Sequence, residues 1–350
     1  ACPLYTIEYL HIGTSDQGHS PPFSLLPALF RSWPLAGQNL RMSSVRQVHP
    51  SPDVAKGVEY WESVPATVDG VLGGYGNGTL PRVDALGSRT FLLRTLPYLS
   101  SIPPASYNGT PMEWKESRVK HRGGKGATVT RALDSGAGVG RVTEHVLLPL
   151  VDEVHLVEPV YKFLQEAKLR SSSWKPMQQT VETSPFNARK VVYFHQSTLQ
   201  GFPLANPMSS TDTSQNHLPP TYMNNEATEP PSSPVTYDII LCQWCLQHLS
   251  ETDLIQFLQD AKKLLRPPQL ADDARPGCDG GIIFVKENVC SELPDGSESC
   301  WYDQEDYSIT RSRKLYERIY AEAGLTVVRT EVQLGFPPEL FDVQMYVLAY

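Results

Sequence analysis

The sequence predicts an α/β fold: seven strands in a mostly parallel, doubly wound sheet that ends in an antiparallel hairpin, with a helical extension in front. Three observations carry this expectation. From residue 128 onward strand-like and helix-like patterns alternate, and alternating β and α elements with apolar strands build a parallel sheet covered on both faces. The run Leu133-Asp134-Ser135-Gly136-Ala137-Gly138-Val139-Gly140-Arg141 places a G-x-G-x-G turn directly behind the first of those strands. Two final apolar runs flank Gly335-Phe336-Pro337-Pro338, a turn signal that makes them a hairpin.

Taken in order, residues 1–55 are rich in Pro, Ser and Gln without a sustained period, which predicts a disordered tail. Met42 is a candidate initiator, which would make the segment before it an extension. The apolar run 23–30 is interrupted by Pro27 and is too short for a membrane span or a signal peptide. Residues 56–100 read as a helical extension with two helical patterns, the second carrying Phe91, Leu92, Leu93, Leu96 and Leu99 after Ser88-Arg89. Residues 101–126, with Pro103-Pro104, Asn108-Gly109 and Gly123-Gly124, read as a linker or insertion.

The domain proper spans 127–350. Its strands are expected at 128–133, 153–157, 191–194, 237–242, 281–285, 325–332 and 341–350, and its helices at 141–148, 161–169, 251–265 and 311–323. The stretch 203–236 is a run of Pro, Ser, Thr and Asn with almost no aliphatic residues, and reads as a disordered insertion without chemistry. Residues 270–280 form a shorter one.

Composition narrows the function. The 350 residues carry 30 basic against 38 acidic side chains, a net charge of −8, which argues against a nucleic-acid-binding surface, whose phosphate contacts need clustered Lys and Arg. The 40% hydrophobic share supports a buried core, whereas 30 prolines and a mean hydropathy of −0.30 leave part of the length outside it. A soluble cytoplasmic protein, with the nucleus as a second location, is expected, without membrane or direct nucleic-acid partners. Six cysteines at irregular spacing are no disulfide framework. Cys242-Gln243-Trp244-Cys245 matches C-x-x-C, yet Cys242 falls inside an apolar strand, so it reads as buried packing. The sequons at Asn77 and Asn108 read as Gly turns, and no metal site is expected.

The loop decides the cofactor. In a dinucleotide fingerprint the third Gly lies five positions after the first; here Arg141 stands there, and the glycines fall at 136, 138 and 140. Glu158, at the end of the second strand, can accept from both hydroxyls of a ribose, which suits NAD and S-adenosyl-L-methionine alike. The loop spacing and the terminal hairpin favour S-adenosyl-L-methionine.

At Tyr60-Trp61, Pro65-Ala66-Thr67-Val68-Asp69-Gly70-Val71-Leu72-Gly73-Gly74-Tyr75-Gly76, the loop from Asp134 to Arg141, Leu147-Leu148-Pro149-Leu150, Gln243-Trp244 with His248-Leu249, and Lys286-Glu287-Asn288, the chain resembles the α-N-terminal protein methyltransferases. These class I, Rossmann-like enzymes modify proteins beginning X-Pro-Lys or X-Pro-Arg. The resemblance implies S-adenosyl-L-methionine as cofactor, such proteins as partners and a monomeric enzyme. It implies Gly136, Gly138, Arg141, Glu158, Leu199, Gln200 and Gln243 in the cofactor seat, with Arg141 reaching the methionine carboxylate.

For the reaction it implies Asp306, His248 and Asn288. Only a neutral amine attacks a sulfonium methyl, and an α-amino group has a pKa of about 7.7 to 8.0, so a base within reach is useful. His248, with an ordinary pKa near 6.5, is expected to accept the proton, with Asp306 steering and Asn288 holding the peptide. The substrate channel is expected from Tyr60, Trp61, Leu72, Trp244, Asp303, Ser308 and Phe341: Trp244 stacks the second-position Pro, and Asp303 and Asp306 receive the third-position cation. Phe341 stands where the family often has Tyr, Glu158 where it often has Asp, and Glu287 where Asp is common. Methylation of a small-molecule amine or alcohol is the alternative activity, and a catalytically silent reader of N-terminal peptides is a third.

Overall fold

The computed structural model describes residues 51–103, 108–110, 113, 129–180, 189–209, 216–227, 229–231, 233–268 and 280–350. The expected tail therefore lies almost wholly outside the described residues, as does most of the expected linker. In chain order the elements are α1 (Val54–Ser63), α2 (Val68–Val71), α3 (Leu80–Thr95), β1 (Arg131–Ser135), β2 (Glu153–Val157), α4 (Tyr161–Ser171), β3 (Val191–Gln196), β4 (Asn216–Tyr222), β5 (Ile239–Gln243), α5 (Glu251–Lys263), β6 (Ile282–Cys290), β7 (Cys300–Tyr302), β8 (Ile309–Ser312), α6 (Arg313–Glu322), β9 (Thr326–Val332) and β10 (Asp342–Ala349).

One sheet has the order β4-β3-β2-β1-β5-β6-β10-β9, with β7 and β8 attached beside β6. Strands β3, β2, β1, β5 and β6 are parallel, and β10 enters antiparallel between β6 and β9. The order reverses at β1, whose neighbours are β2 and β5. Such a switch point opens a crevice at the carboxyl ends of the strands.

Strands β2, β5 and β6 are buried along their whole length, and the apolar side chains of the central strands feed a core on each face of the sheet. Ile239, Leu241, Ile282, Phe284 and Val347 belong to the core shared with α3 and α4, whereas Ile240, Cys242, Ile283, Val285 and Leu348 belong to the core shared with α5 and α6. Cys242 is thus a packed core residue of β5. The helical extension is a full layer of the first core: Phe91 meets Phe284 at 5.5 Å between ring centroids, and Leu92, Leu96 and Leu99 are buried in the same cluster.

Four expectations are corrected. Helix α3 starts at Leu80, not after Ser88-Arg89, because Pro81 sits in its first turn, where a missing N–H costs nothing. The stretch 141–148 is not a plain α-helix: Thr143–Leu147 is a π-type turn. The insertion 203–236 gives β4, which pairs antiparallel with β3, and it also buries Leu204 and Val235. Pro219 and Pro220 are tolerated there because β4 is an edge strand with one unpaired side. Among the described residues the sheet has ten strands rather than seven, the other additions being β7 and β8; their short runs fall below what periodicity resolves.

Candidate active site

The crevice at the switch point is a cleft of about 1050 Å³ including its open mouth, lined by the loop after β1, by Glu158 and Val160 after β2, by Leu199 and Gln200, by Gln243 to Cys245 with His248, and by α1 and α2. Each wall has a local cause. Gly136 follows β1 at φ +63°, and a Cβ there would lie 2.5 Å from that of Cys245. Only Gly lets the chain turn so close to the segment after β5. Glu158 holds the same loop: its Oε2 accepts from the Gly138 amide and its Oε1 from the Val160 amide, both at 2.8 Å. Burial pushes the Glu158 carboxyl up to about 7. Behind the loop, burial raises Asp134 to about 6, and its Oδ2 accepts from the Thr143 hydroxyl at 2.5 Å.

The other half is organised by Lys286-Glu287-Asn288 on β6, whose side chains alternate across the sheet. Lys286 reaches Asp84 of α3 at 2.6 Å. Glu287 points the other way and accepts from the Cys245 and Leu246 amides, both at 2.9 Å. Asn288 returns to the first face, where its Oδ1 accepts from the Trp244 indole N–H at 3.1 Å. The buried Arg311 donates to the carbonyls of Leu246 and Leu249, at 3.0 and 2.5 Å, so the short turn carrying His248 is clamped at both ends. Trp244 itself adopts φ +53°, a left-handed conformation that a bulky residue keeps only when its surroundings enforce it.

Helices α1 and α2 close the cleft. Thr67 caps α2 by accepting from the Gly70 amide at 3.0 Å. Asp69 accepts from the Gly76 and Asn77 amides at 2.9 and 3.2 Å, which folds the TVDG string into a tight loop presenting Val71 and Leu72 to the cleft. In α1, Trp61 Nε1 donates to His248 Nε2 at 3.4 Å. A Cβ at Gly57 would stand 3.2 Å from the Asp306 carbonyl oxygen and 3.5 Å from His248 Nδ1. The glycine therefore brings α1, His248 and the β7–β8 turn together.

That turn carries the acidic residues. The run 303–306 reads by default as a solvated face, yet Asp303 and Asp306 are buried, Asp306 completely. Asp306 Oδ1 accepts from the Ser308 amide at 3.0 Å, and its Oδ2 has no hydrogen-bond partner among the described residues. Burial, reinforced by the charges of Asp303 and Glu305 against the opposing Ser308 bond, raises Asp306 to about 7. His248 moves the other way: burial, with the Arg311 charge adding, lowers it to about 4.

The structure brings Trp61, Leu72, Gly136, Gly138, Arg141, Glu158, Leu199, Gln200, Gln243, Trp244 and His248 to one cleft. Asn288, Asp303, Asp306 and Ser308 lie behind or beside it. Tyr60 stands edge-on to Trp61 at 5.2 Å, and Phe341 packs on Trp301 at 5.7 Å, so neither forms the wall. Asp84 was not foreseen. It is fully buried and pairs with Arg141 at 2.5 Å as well as with Lys286. A signal for it existed, because Asp84 is in register with Ser88, Phe91, Leu92 and Thr95 on the buried stripe of α3, a stripe hidden when the helix is started too late.

Comparison with known proteins settles the family. The profile of the family described as AdoMet dependent proline di-methyltransferase matches residues 51–103, 115–202 and 222–349. The chain belongs to this family. The methyltransferase is 32% identical over 299 residues to the alpha N-terminal protein methyltransferase 1 of Schizosaccharomyces pombe, covering 85% of this chain and 97% of that one. It is 29% identical to the human N-terminal Xaa-Pro-Lys N-methyltransferase 1, covering 84% and 94%. A solved SAM-dependent methyltransferase from Leishmania major superposes with a TM-score of 0.51 at 30% identity, over 84% of this chain and 82% of that one. The methyltransferase uses S-adenosyl-L-methionine, as its family membership states. Among its described residues no helix is long and apolar enough to cross a membrane.

Proposed function

We propose that this methyltransferase transfers methyl groups from S-adenosyl-L-methionine to the α-amino group of proteins beginning X-Pro-Lys or X-Pro-Arg. The observation that carries the reading is the buried acidic turn beside the aromatic cleft: Asp303 and Asp306 supply two buried carboxylates, enough to meet both the amino end and the third-position cation of such a peptide. The names of the relatives support the same substrate class.

The cleft fits the cofactor. Glu158 presents a buried carboxylate with acceptor capacity beyond its two amide bonds, and Gln243 Oε1 is a buried acceptor without a partner among the described residues. Bound there by Gly136, Gly138, Arg141, Glu158, Leu199, Gln200 and Gln243, the cofactor would supply a sulfonium-activated methyl group. The protein's own task is to hold the peptide end and take its proton. Trp244, fixed by Asn288, offers a flat face to the second-position Pro. Asp303 and Ser308 receive the third side chain, with Trp61 and Leu72 completing the channel and Tyr60 supporting Trp61 edge-on. Phe341 brings no hydroxyl to it.

The proton roles differ from those expected from unperturbed pKa values. A base works best when its pKa lies near the operating pH. Asp306, near 7, meets that condition, while His248, near 4, stays neutral and is a weak acceptor whose Nε2 already receives the Trp61 N–H. We therefore assign the proton to Asp306 and the orientation of the amine to His248. The proposal extends to a monomeric enzyme of the cytoplasm and nucleus, built as a catalytic domain over 127–350 with its helical extension over 56–100.

Incubation with the cofactor and a peptide beginning Ser-Pro-Lys should add one to three methyl groups at the N-terminus, read by mass spectrometry. No mass gain while the cofactor still binds would refute the substrate assignment, and equal turnover of a small amine would favour the alternative.

A further inference from the structure

The carboxylate of Asp84 gathers three donors. Its Oδ2 lies 2.5 Å from Arg141 Nη1 and its Oδ1 2.6 Å from Lys286 Nζ, and both oxygens accept from Gln243 Nε2 at 3.0 Å. All four groups are buried. Arg141 and Gln243 line the cleft, and Asp84 and Lys286 do not.

We infer that Asp84 is a positioning residue for the amino-acid end of the methyl donor, acting from the helical extension without touching the donor. The inference rests on reading the cleft as the cofactor seat. A carboxylate only accepts hydrogen bonds, so it dictates which way the Gln243 amide faces. The NH2 group is drawn onto Asp84, and Oε1 is turned away from it as an acceptor. A free amide could equally present NH2, which would repel an ammonium. Asp84 also holds one edge of the Arg141 guanidinium, leaving the planar group oriented with further N–H donors for a carboxylate. The donor's amino-acid end carries one ammonium and one carboxylate, which match an oriented amide oxygen and an oriented guanidinium. Lys286 holds the other oxygen of Asp84 and is tied off by Gln333 Oε1 at 2.7 Å and Ser88 Oγ at 3.0 Å, which keeps the carboxylate of Asp84 in place.

Two ligands separate positioning from general damage: S-adenosylhomocysteine, which has the amino-acid end, and 5′-methylthioadenosine, which has the same nucleoside and sulfur without it. Calorimetric titration of the full chain should show Asp84→Asn binding S-adenosylhomocysteine at least about tenfold more weakly, with methylthioadenosine changed less than about twofold. Because Asp84→Asn strands a buried lysine, the charge-neutral pair Asp84→Asn with Lys286→Met serves if the single variant does not fold, and the same ligand-selective loss is expected. Equal losses for both ligands, or none, overturn the inference. Failure of the wild-type chain to bind either ligand overturns the cofactor seat itself, and the inference with it.

Discussion

Replacing Asp306 by Asn should stabilise the protein at alkaline pH while abolishing its chemistry. In the fold this carboxyl titrates at about 7 against an ordinary 3.8, because it is buried beside the charges of Asp303 and Glu305. Between those two values the folded chain holds a proton that the unfolded chain has released, so stability falls as pH rises through the window and levels off above about 7. A difference of about three pH units, at ~1.36 kcal/mol each, gives about 4 kcal/mol as the upper bound of the penalty. Asn keeps the shape and the acceptor that the Ser308 amide uses, but never ionises. Urea denaturation near pH 4 should therefore find the two proteins equally stable within about 1 kcal/mol, and near pH 8 it should find the Asp306→Asn variant more stable by about 2–4 kcal/mol. Methylation of the Ser-Pro-Lys peptide by the variant should drop about a hundredfold or more. A variant no more stable than wild type near pH 8 would mean that the fold itself supplies a counter-charge, and the assignment of Asp306 as a waiting acceptor would fail.

Trp244→Phe keeps a ring for the substrate proline but loses the N–H bond to Asn288; it should raise the peptide KM roughly five- to tenfold, with S-adenosylhomocysteine affinity unchanged, as steady-state kinetics and calorimetry would show. Gly136→Ala forces a Cβ to 2.5 Å from Cys245 at a positive φ, so scanning calorimetry should register about 2–4 kcal/mol of destabilisation; an unchanged Tm would refute the close approach. His155, His195 and His217 form a chain of ring nitrogens 3.0 and 2.9 Å apart. Burial lowers all three pKa values, that of His195 to about 3. The unfolded imidazoles take up protons near 6.5 while the folded ones resist, so Tm should fall as pH drops from about 6.5 toward 4, and His195→Leu should flatten that slope.

Most sheet strands were readable in advance because their apolar and β-branched runs stand out from the turns between them: β2 falls where its run begins and ends, β5, β9 and β10 lie within two residues of theirs, and β6 runs on past Val285 through the polar Lys286-Glu287-Asn288 to Cys290. The glycine loop and Glu158 were readable because a sharp turn and a carboxylate after the next strand are local requirements. Strand β4 was not, since Asn-His-Leu-Pro-Pro-Thr-Tyr owes its extended form to pairing with β3, a long-range contact that propensity cannot register. Strands β7 and β8 were missed because runs of three and four residues are too short for a period to show, and with them the burial of Asp303 and Asp306.

What the sequence by itself determined, then, is the α/β class, the position of the cofactor turn and the identity of the polar residues around it, because these follow from periodicity, turn chemistry and residue type. The tertiary structure decided what those groups are. Burial separates His248 from Asp306 by lowering one and raising the other. The docking of α3 brings Asp84 against Arg141, 57 positions away, and turns an exposed-looking helix acid into the centre of a buried cluster. Charge states and ion partners depend on what stands within a few ångströms in space, and chain order carries that information only through the completed fold.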